Sequence, residues 1–201
     1  GDNIKSIHWK LTARKDKPIV KEYENRGDTQ VYIFLDNEYS LFKNDIDRRL
    51  EDKIVDICTS IVNYCLNHNI EVTLRSQDHN KHLMLQGRYK SDFKPFLEAL
   101  ARFKGNGSMN FSSFILPNIE TINRSSTVVI ITPNLDKSMG SLAINLRMKN
   151  LYPILIVVTD SENKTGYIDS LIEKRLKSEG IPLYWLDCIT NMKDTLEGIY
   201  G

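Results

Sequence analysis

Five consecutive apolar residues, Val31-Tyr32-Ile33-Phe34-Leu35, end at an acid, Asp36, and similar unbroken runs recur at residues 128–131 and 154–158. Continuous apolarity, as opposed to alternation, predicts strands buried on both faces, as in a parallel sheet. Between the runs the period changes. Ile46, Leu50, Ile54, Ile57, Cys58, Ile61 and Cys65 recur at three and four and draw one face of a long helix over residues 44–68. Residues 70–75 form the next strand, carried by Val72 and Leu74, and residues 82–88 alternate as a peripheral extra strand. Ser91 is placed to cap a helix running to about residue 103, with Phe93, Phe96, Leu97 and Leu100 on its apolar side. Gly105-Asn106-Gly107-Ser108 is a break, and a shorter helix over residues 111–122 is limited by Pro117. Helices over residues 138–150 and 166–179 follow, the second stopped by Gly180, then a last strand over 183–186 and a short C-terminal helix.

Alternating strands and helices predict an open, doubly wound α/β sheet, mostly parallel, with helices on both faces. Ligands of such sheets bind outside the carboxyl ends of the strands. Here those ends carry Asp36, Ser76, Thr132, Asp160 and Asp187. Such oxygens suit a hard cation, and they equally suit helix caps and turns.

The first residues have their own character. Ile4, Ile7, His8 and Leu11 are spaced for a short helix, with Trp9 as a docking body and Arg14 able to pair with a carboxylate. Residues 18–24 alternate and predict an edge strand antiparallel to Val31–Leu35, turned at residues 25–28 and guarded by Lys21, Glu22 and Glu24. The chain therefore divides into an N-terminal segment, 1–29, and an α/β domain, 30–201.

Composition narrows the function classes. A chain of 201 residues, 41% hydrophobic and 26% charged, with a net charge of +1, has enough apolar material for a core. Near-neutrality gives no reason to expect nucleic acid, and no run of about 18 apolar residues crosses a bilayer. The basic residues Lys5, Lys10, Arg14, Lys15, Lys17 and Lys21 outnumber Asp2 and Asp16 in the first 21 positions, a solvated face or a docking surface. Three cysteines do not make a disulfide framework; Cys58 and Cys65 share a helix face about 10 Å apart, too far to bridge. Nucleotide cradles, zinc motifs and a Gly-x-Ser-x-Gly elbow are absent from the sequence. Asp36-x-Glu38 after a first strand leaves a metal-dependent phosphotransfer enzyme as the alternative function, although such enzymes use Asp-x-Asp there.

The segment Gly1-Asp2-Asn3-Ile4-Lys5-Ser6-Ile7-His8-Trp9-Lys10-Leu11-Thr12-Ala13-Arg14, followed by Pro18-Ile19-Val20-Lys21-Glu22-Tyr23-Glu24 and the strand ending in Asp36, resembles the signature of the bacterial "domain of unknown function 58" family. The resemblance implies a von Willebrand factor A-like fold. It also implies membrane helices ahead of Gly1-Asp2, so that this is the soluble, cytoplasm-facing part of a membrane-anchored protein. Genes of that family commonly accompany those of MoxR-type AAA ATPases. A non-enzymatic role in binding such an ATPase or its client protein is therefore expected, with Asp2, His8, Trp9, Lys10 and Arg14 as the signature surface.

Von Willebrand A domains often hold a divalent cation at a metal-ion-dependent adhesion site that begins Asp-x-Ser-x-Ser. Here the matching stretch is Asp36-Asn37-Glu38-Tyr39-Ser40, in which Glu38 replaces the first Ser. Ser112 stands in for the Thr of the second element, and Asp136 lies three residues past the strand end where the last Asp belongs. Asp36, Glu38, Ser40, Ser112 and Asp136 are thus a degenerate version of that site, for which Mg²⁺ or another divalent cation is the cofactor to consider.

Overall fold

The structure, a computed structural model, describes residues 30–77 and 82–189 together with the backbone of residues 7–8, 19–20, 78 and 81. Its frame is a six-stranded sheet. The strands are β3 (Val31–Leu35), β4 (Val72–Asp78), β5 (Lys81–Gly87), β6 (Thr127–Thr132), β8 (Tyr152–Thr159) and β10 (Leu183–Asp187), arranged β10-β8-β6-β3-β4-β5. All neighbours run parallel except β5, which returns antiparallel along β4. The three apolar runs are the central strands, and β3 and β6 are buried at every position. Sheet pairing satisfies their backbone while β-branched and aromatic side chains fill both faces.

Alternate side chains of β3 feed two cores. Val31, Ile33 and Leu35 pack with α2 (Arg49–Asn67) and α3 (Phe93–Leu100) through Leu50, Ile54, Ile57 and Phe96. Tyr32 and Phe34 pack on the other face with α4 (Phe111–Asn118), α5 (Lys137–Met148) and α6 (Ser170–Ser178) through Phe114, Leu142 and Leu176. Full burial of one such side chain contributes about 1.5–3 kcal/mol. A short helix, α1 (Tyr39–Phe42), opens the loop after β3, and its Phe42 meets Phe103 edge-on at 6.2 Å.

The chain leaves β3 in one direction through α2 to β4, and builds β6, β8 and β10 on the opposite side. Strand order therefore reverses between β3 and β6, which makes the carboxyl ends of that pair the natural crevice of the sheet.

Four expectations change. Ile7–His8 is a strand, β1, not part of a helix, and it pairs antiparallel with β2 (Ile19–Val20). Consequently the edge strand expected against Val31–Leu35 is elsewhere: both flanks of β3 are taken by β4 and β6. The long helix starts at Arg49, not near residue 44, because both oxygens of Asp45 take the N–H groups of Leu50 (3.0 Å) and Glu51 (2.9 Å), while Arg48 adopts φ 57°. Residues 166–168 are not helical. Tyr167–Ile168 is β9, paired with β7 (Asn134–Leu135), and Asp169 caps α6 by accepting from Leu171 and Ile172. Gly180 does end α6, at φ +65°. The C-terminal helix and the turn at 25–28 lie outside the described residues. Among the described residues no helix is long and apolar enough to cross a membrane.

Candidate functional site at the strand ends

Asp36 follows β3 directly and is fully buried. Its N–H still belongs to the sheet, donating to Ile131 O at 2.9 Å. Its side chain joins the two halves of the molecule. Oδ1 accepts the Glu38 N–H at 3.0 Å, and Oδ2 accepts the Thr132 hydroxyl from the end of β6 at 2.7 Å. Thr132 Oγ1 also accepts the Asn134 N–H at 3.0 Å and lies 3.2 Å from Asn134 O. Burial pushes the Asp36 carboxyl up from 3.8 to about 7 against the lowering effect of these hydrogen bonds, and the nearby charges of Glu38 and Asp136 push the same way.

Glu38 reaches sideways to α4. One carboxylate oxygen accepts the Ser40 hydroxyl at 2.6 Å; the other accepts the Phe111 N–H at 3.0 Å and the Asn110 amide at 3.2 Å. A carboxylate on the first N–H of a helix is favourably placed for the helix dipole. Asn110 completes the same terminus, its Oδ1 accepting from Ser113 N and from the Ser112 hydroxyl at 2.6 Å. The residue that departs from the Asp-x-Ser-x-Ser pattern is therefore a helix cap as well as a strand-end acid.

Asp136 caps α5. Its oxygens accept from Met139 N (2.9 Å), the Ser138 hydroxyl (2.7 Å) and the Asn134 amide (3.1 Å), and these bonds hold its carboxyl below the usual range despite partial burial.

The loops around this edge are pinned. Asn37, also buried, donates to Gln77 O (2.9 Å) and Lys104 O (3.2 Å), while Gln77 holds both backbone groups of Met109 at 2.9 Å. Gly107 closes against Asn37 through a 2.7 Å backbone bond, so near that a Cβ would stand 2.8 Å from Asn37 Oδ1. Ser76 donates to Leu35 O at 2.9 Å. Further along, Asp160 accepts from the backbone N–H groups of its own turn and meets Arg49 at 3.6 Å, and Asp187 holds the N–H groups of Ser161 and Ile189.

Of the residues expected from sequence, Asp36 and Glu38 are joined by a hydrogen bond, Glu38 is joined to Ser40, and Ser112 meets Glu38 through Asn110. Asp136 belongs to the next loop and reaches Asp36 as a nearby charge. Among the described residues no three His, Cys, Asp or Glu side chains are grouped to hold a metal ion. Asn110 was missed; its signal was an N-capping residue type just ahead of an apolar helix. Asp2, Trp9, Lys10, Arg14 and the His8 side chain lie outside the described residues.

The fold is that of von Willebrand factor A domains. The VWA domain of SpRpn10 superposes with a TM-score of 0.54 at 17% identity, covering 85% of this chain and 94% of that one. The conserved hypothetical protein BatB from Bacteroides thetaiotaomicron gives 0.53 at 12% identity, over 85% and 95%. Proximal thread matrix protein 1 from the mussel byssus, in a structure with a zinc-occupied MIDAS motif, gives 0.57 at 10% identity, with 86% of this chain matching 47% of that one. No curated protein matches the chain in sequence. The chain belongs to the family described as protein of unknown function DUF58, whose family model matches residues 1–165.

Proposed function

We propose that this domain is a non-enzymatic protein-binding module, the cytoplasm-facing part of a membrane-anchored bacterial protein, and that it grips its partner across the carboxyl ends of β3 and β6. The partner is a MoxR-type AAA ATPase or that ATPase's client. The observation carrying this reading is the cluster of Asp36, Glu38 and Asp136 with the Thr132 hydroxyl, gathered where the strand order reverses in a von Willebrand A-like sheet. Ser40 and Ser112 extend the same edge.

The donor set does not suit a divalent cation. Both oxygens of Glu38 serve α4 and Ser40, those of Asp136 serve α5 and Asn134, and Asp36 is fully buried with both oxygens taken by Glu38 N–H and the Thr132 hydroxyl. A hard cation needs several oxygens free to turn to it, and here it would have to take them from these bonds. The proposed site works without metal, its acids held by the domain's own donors.

Two measurements test this. Titration with Mg²⁺, Mn²⁺ or Ca²⁺ leaves the melting temperature unchanged, while Glu38→Ser, which restores Asp-x-Ser-x-Ser, gains a Mg²⁺-dependent rise. A saturable rise in the unsubstituted domain that Asp36→Ala abolishes overturns the metal-free reading. Immobilised domain binds the MoxR-type ATPase of the same genome, and Glu38→Lys weakens that binding with the melting temperature monitored alongside. Binding that is absent, or indifferent to Glu38→Lys, overturns the strand-end interface.

A further inference from the structure

Arg75 of β4 is a charged side chain that points into the α4 face of the sheet. It is 8% exposed, and its guanidinium lies 5.6 Å from the Tyr32 ring centre and 6.0 Å from that of Phe34. All its hydrogen bonds leave from one nitrogen: Nη1 donates to Asn118 Oδ1 at 2.7 Å and to Thr121 Oγ1 at 3.0 Å, both neutral. Among the described residues no carboxylate pairs with it, and the buried Nε has no acceptor. Nη2 makes no bond either and is not sealed from solvent.

A buried cation without an acid is costly, and its stability rationale is weak. The two idle nitrogens also form the parallel N–H edge that a carboxylate fits with two bonds. Among the described residues the surface beside it is open. β5 is an edge strand, and on the side it shares with Arg75 it shows His82, Met84 and Gln86 to solvent. Met84 faces Arg75 in the strand register and is 59% exposed. Met84 is unbranched and moves aside at little cost.

We propose that the Nε–Nη2 edge of Arg75 is a binding site for a side-chain carboxylate from an acidic segment of a partner protein, which lies along the uncovered face of β5. The aromatic rings and the neutral amide hold the guanidinium in place; the incoming acid meets Nη2 and reaches the buried Nε as Met84 turns aside. The site goes beyond the strand-end interface. It takes from that reading only the protein source of the carboxylate.

The test follows the Arg75 Nε–H resonance by NMR in the unsubstituted domain. A blocked tetra-aspartate peptide moves it saturably, with half-saturation at or below about 10 mM, while sodium chloride at matched ionic strength does not. Arg75→Lys keeps the charge, loses the fork and weakens peptide binding about tenfold, read from the neighbouring Met84 methyl. No movement, an equal response to chloride, or full-strength binding by Arg75→Lys overturns the proposal. Inorganic phosphate that binds more tightly than the peptide also overturns it, in favour of a phosphate ligand. If Arg75→Lys fails to fold, the Arg75 resonance itself still decides. Because the probe is a free peptide, the site can hold even where the ATPase fails to bind, and the two readings fail separately.

Discussion

The Thr132 hydroxyl donates to Asp36 Oδ2 across 2.7 Å, with both residues buried and each standing at the end of a different central strand. When Asp36 takes up a proton, the same pair reverses direction: Asp36 donates, and Thr132 turns its own proton toward Asn134 O, 3.2 Å away. Both ionisation states therefore find partners without moving the backbone.

That pair predicts an unusual pH dependence. A carboxyl raised from 3.8 to about 7 binds its proton more tightly folded than unfolded, so its stabilising contribution is complete below 3.8 and is lost as the pH rises through about 7. The rise corresponds to on the order of 4 kcal/mol at full ionisation. Asp36→Asn presents an oxygen to Glu38 N–H and an amide N–H to Thr132 and carries no charge. Urea denaturation at pH 5 and pH 8 shows the native domain weaker at pH 8 and Asp36→Asn more stable than it there. Equal pH slopes for the two proteins would refute this.

Glu38→Ala removes the acceptor for the Phe111 N–H and for the Ser40 and Asn110 side chains. With Asn110 still capping, the cost is about 1 kcal/mol. Hydrogen exchange at the Phe111 amide accelerates, while exchange in β3 keeps pace only with the global loss. An unchanged Phe111 amide contradicts the capping role.

Gly107→Ala forces a Cβ to within 2.8 Å of Asn37 Oδ1, 2.9 Å of Asn37 O and 2.9 Å of Gln77 Cδ. Asn37 O and the Gln77 amide group are held by hydrogen bonds, so the loop must shift; the loss is about 2 kcal/mol by chemical denaturation. A melting temperature equal to that of the native domain would show that the loop yields freely.

Burial raises all three thiols, Cys65 and Cys188 to about 12 and Cys58 further. Only the thiolate reacts with an aromatic disulfide reagent. At pH 8 the half-buried Cys188 labels slowly, and Cys58 and Cys65 label only after urea is added. Prompt labelling of two or more thiols in native buffer contradicts the packed core.

The sheet was legible because its central strands are unbroken apolar runs, a pattern that local context does not override. Shorter pieces were not. Ile4, Ile7, His8 and Leu11 fit a helical spacing, yet the two-residue pairing of Ile7–His8 with Ile19–Val20 depends on a partner that spacing cannot name. Tyr167–Ile168 is extended for the same reason, through Asn134–Leu135. At the strand ends, Asp36 and Glu38 were visible as acids in a pattern, but not that Glu38 spends its oxygens on α4. Arg75 carried no warning at all: a lone Arg closing a strand looks like a turn residue until the register places it opposite Phe34.

Glu38 holds the first residue of α4, and Arg75 holds its last, Asn118. Eight helical residues span about 12 Å. The helix is thus held at both tips, by Glu38 in the loop after β3 and by Arg75 of β4. A partner that touched both the acid and the cation would have to reach along the whole length of that helix.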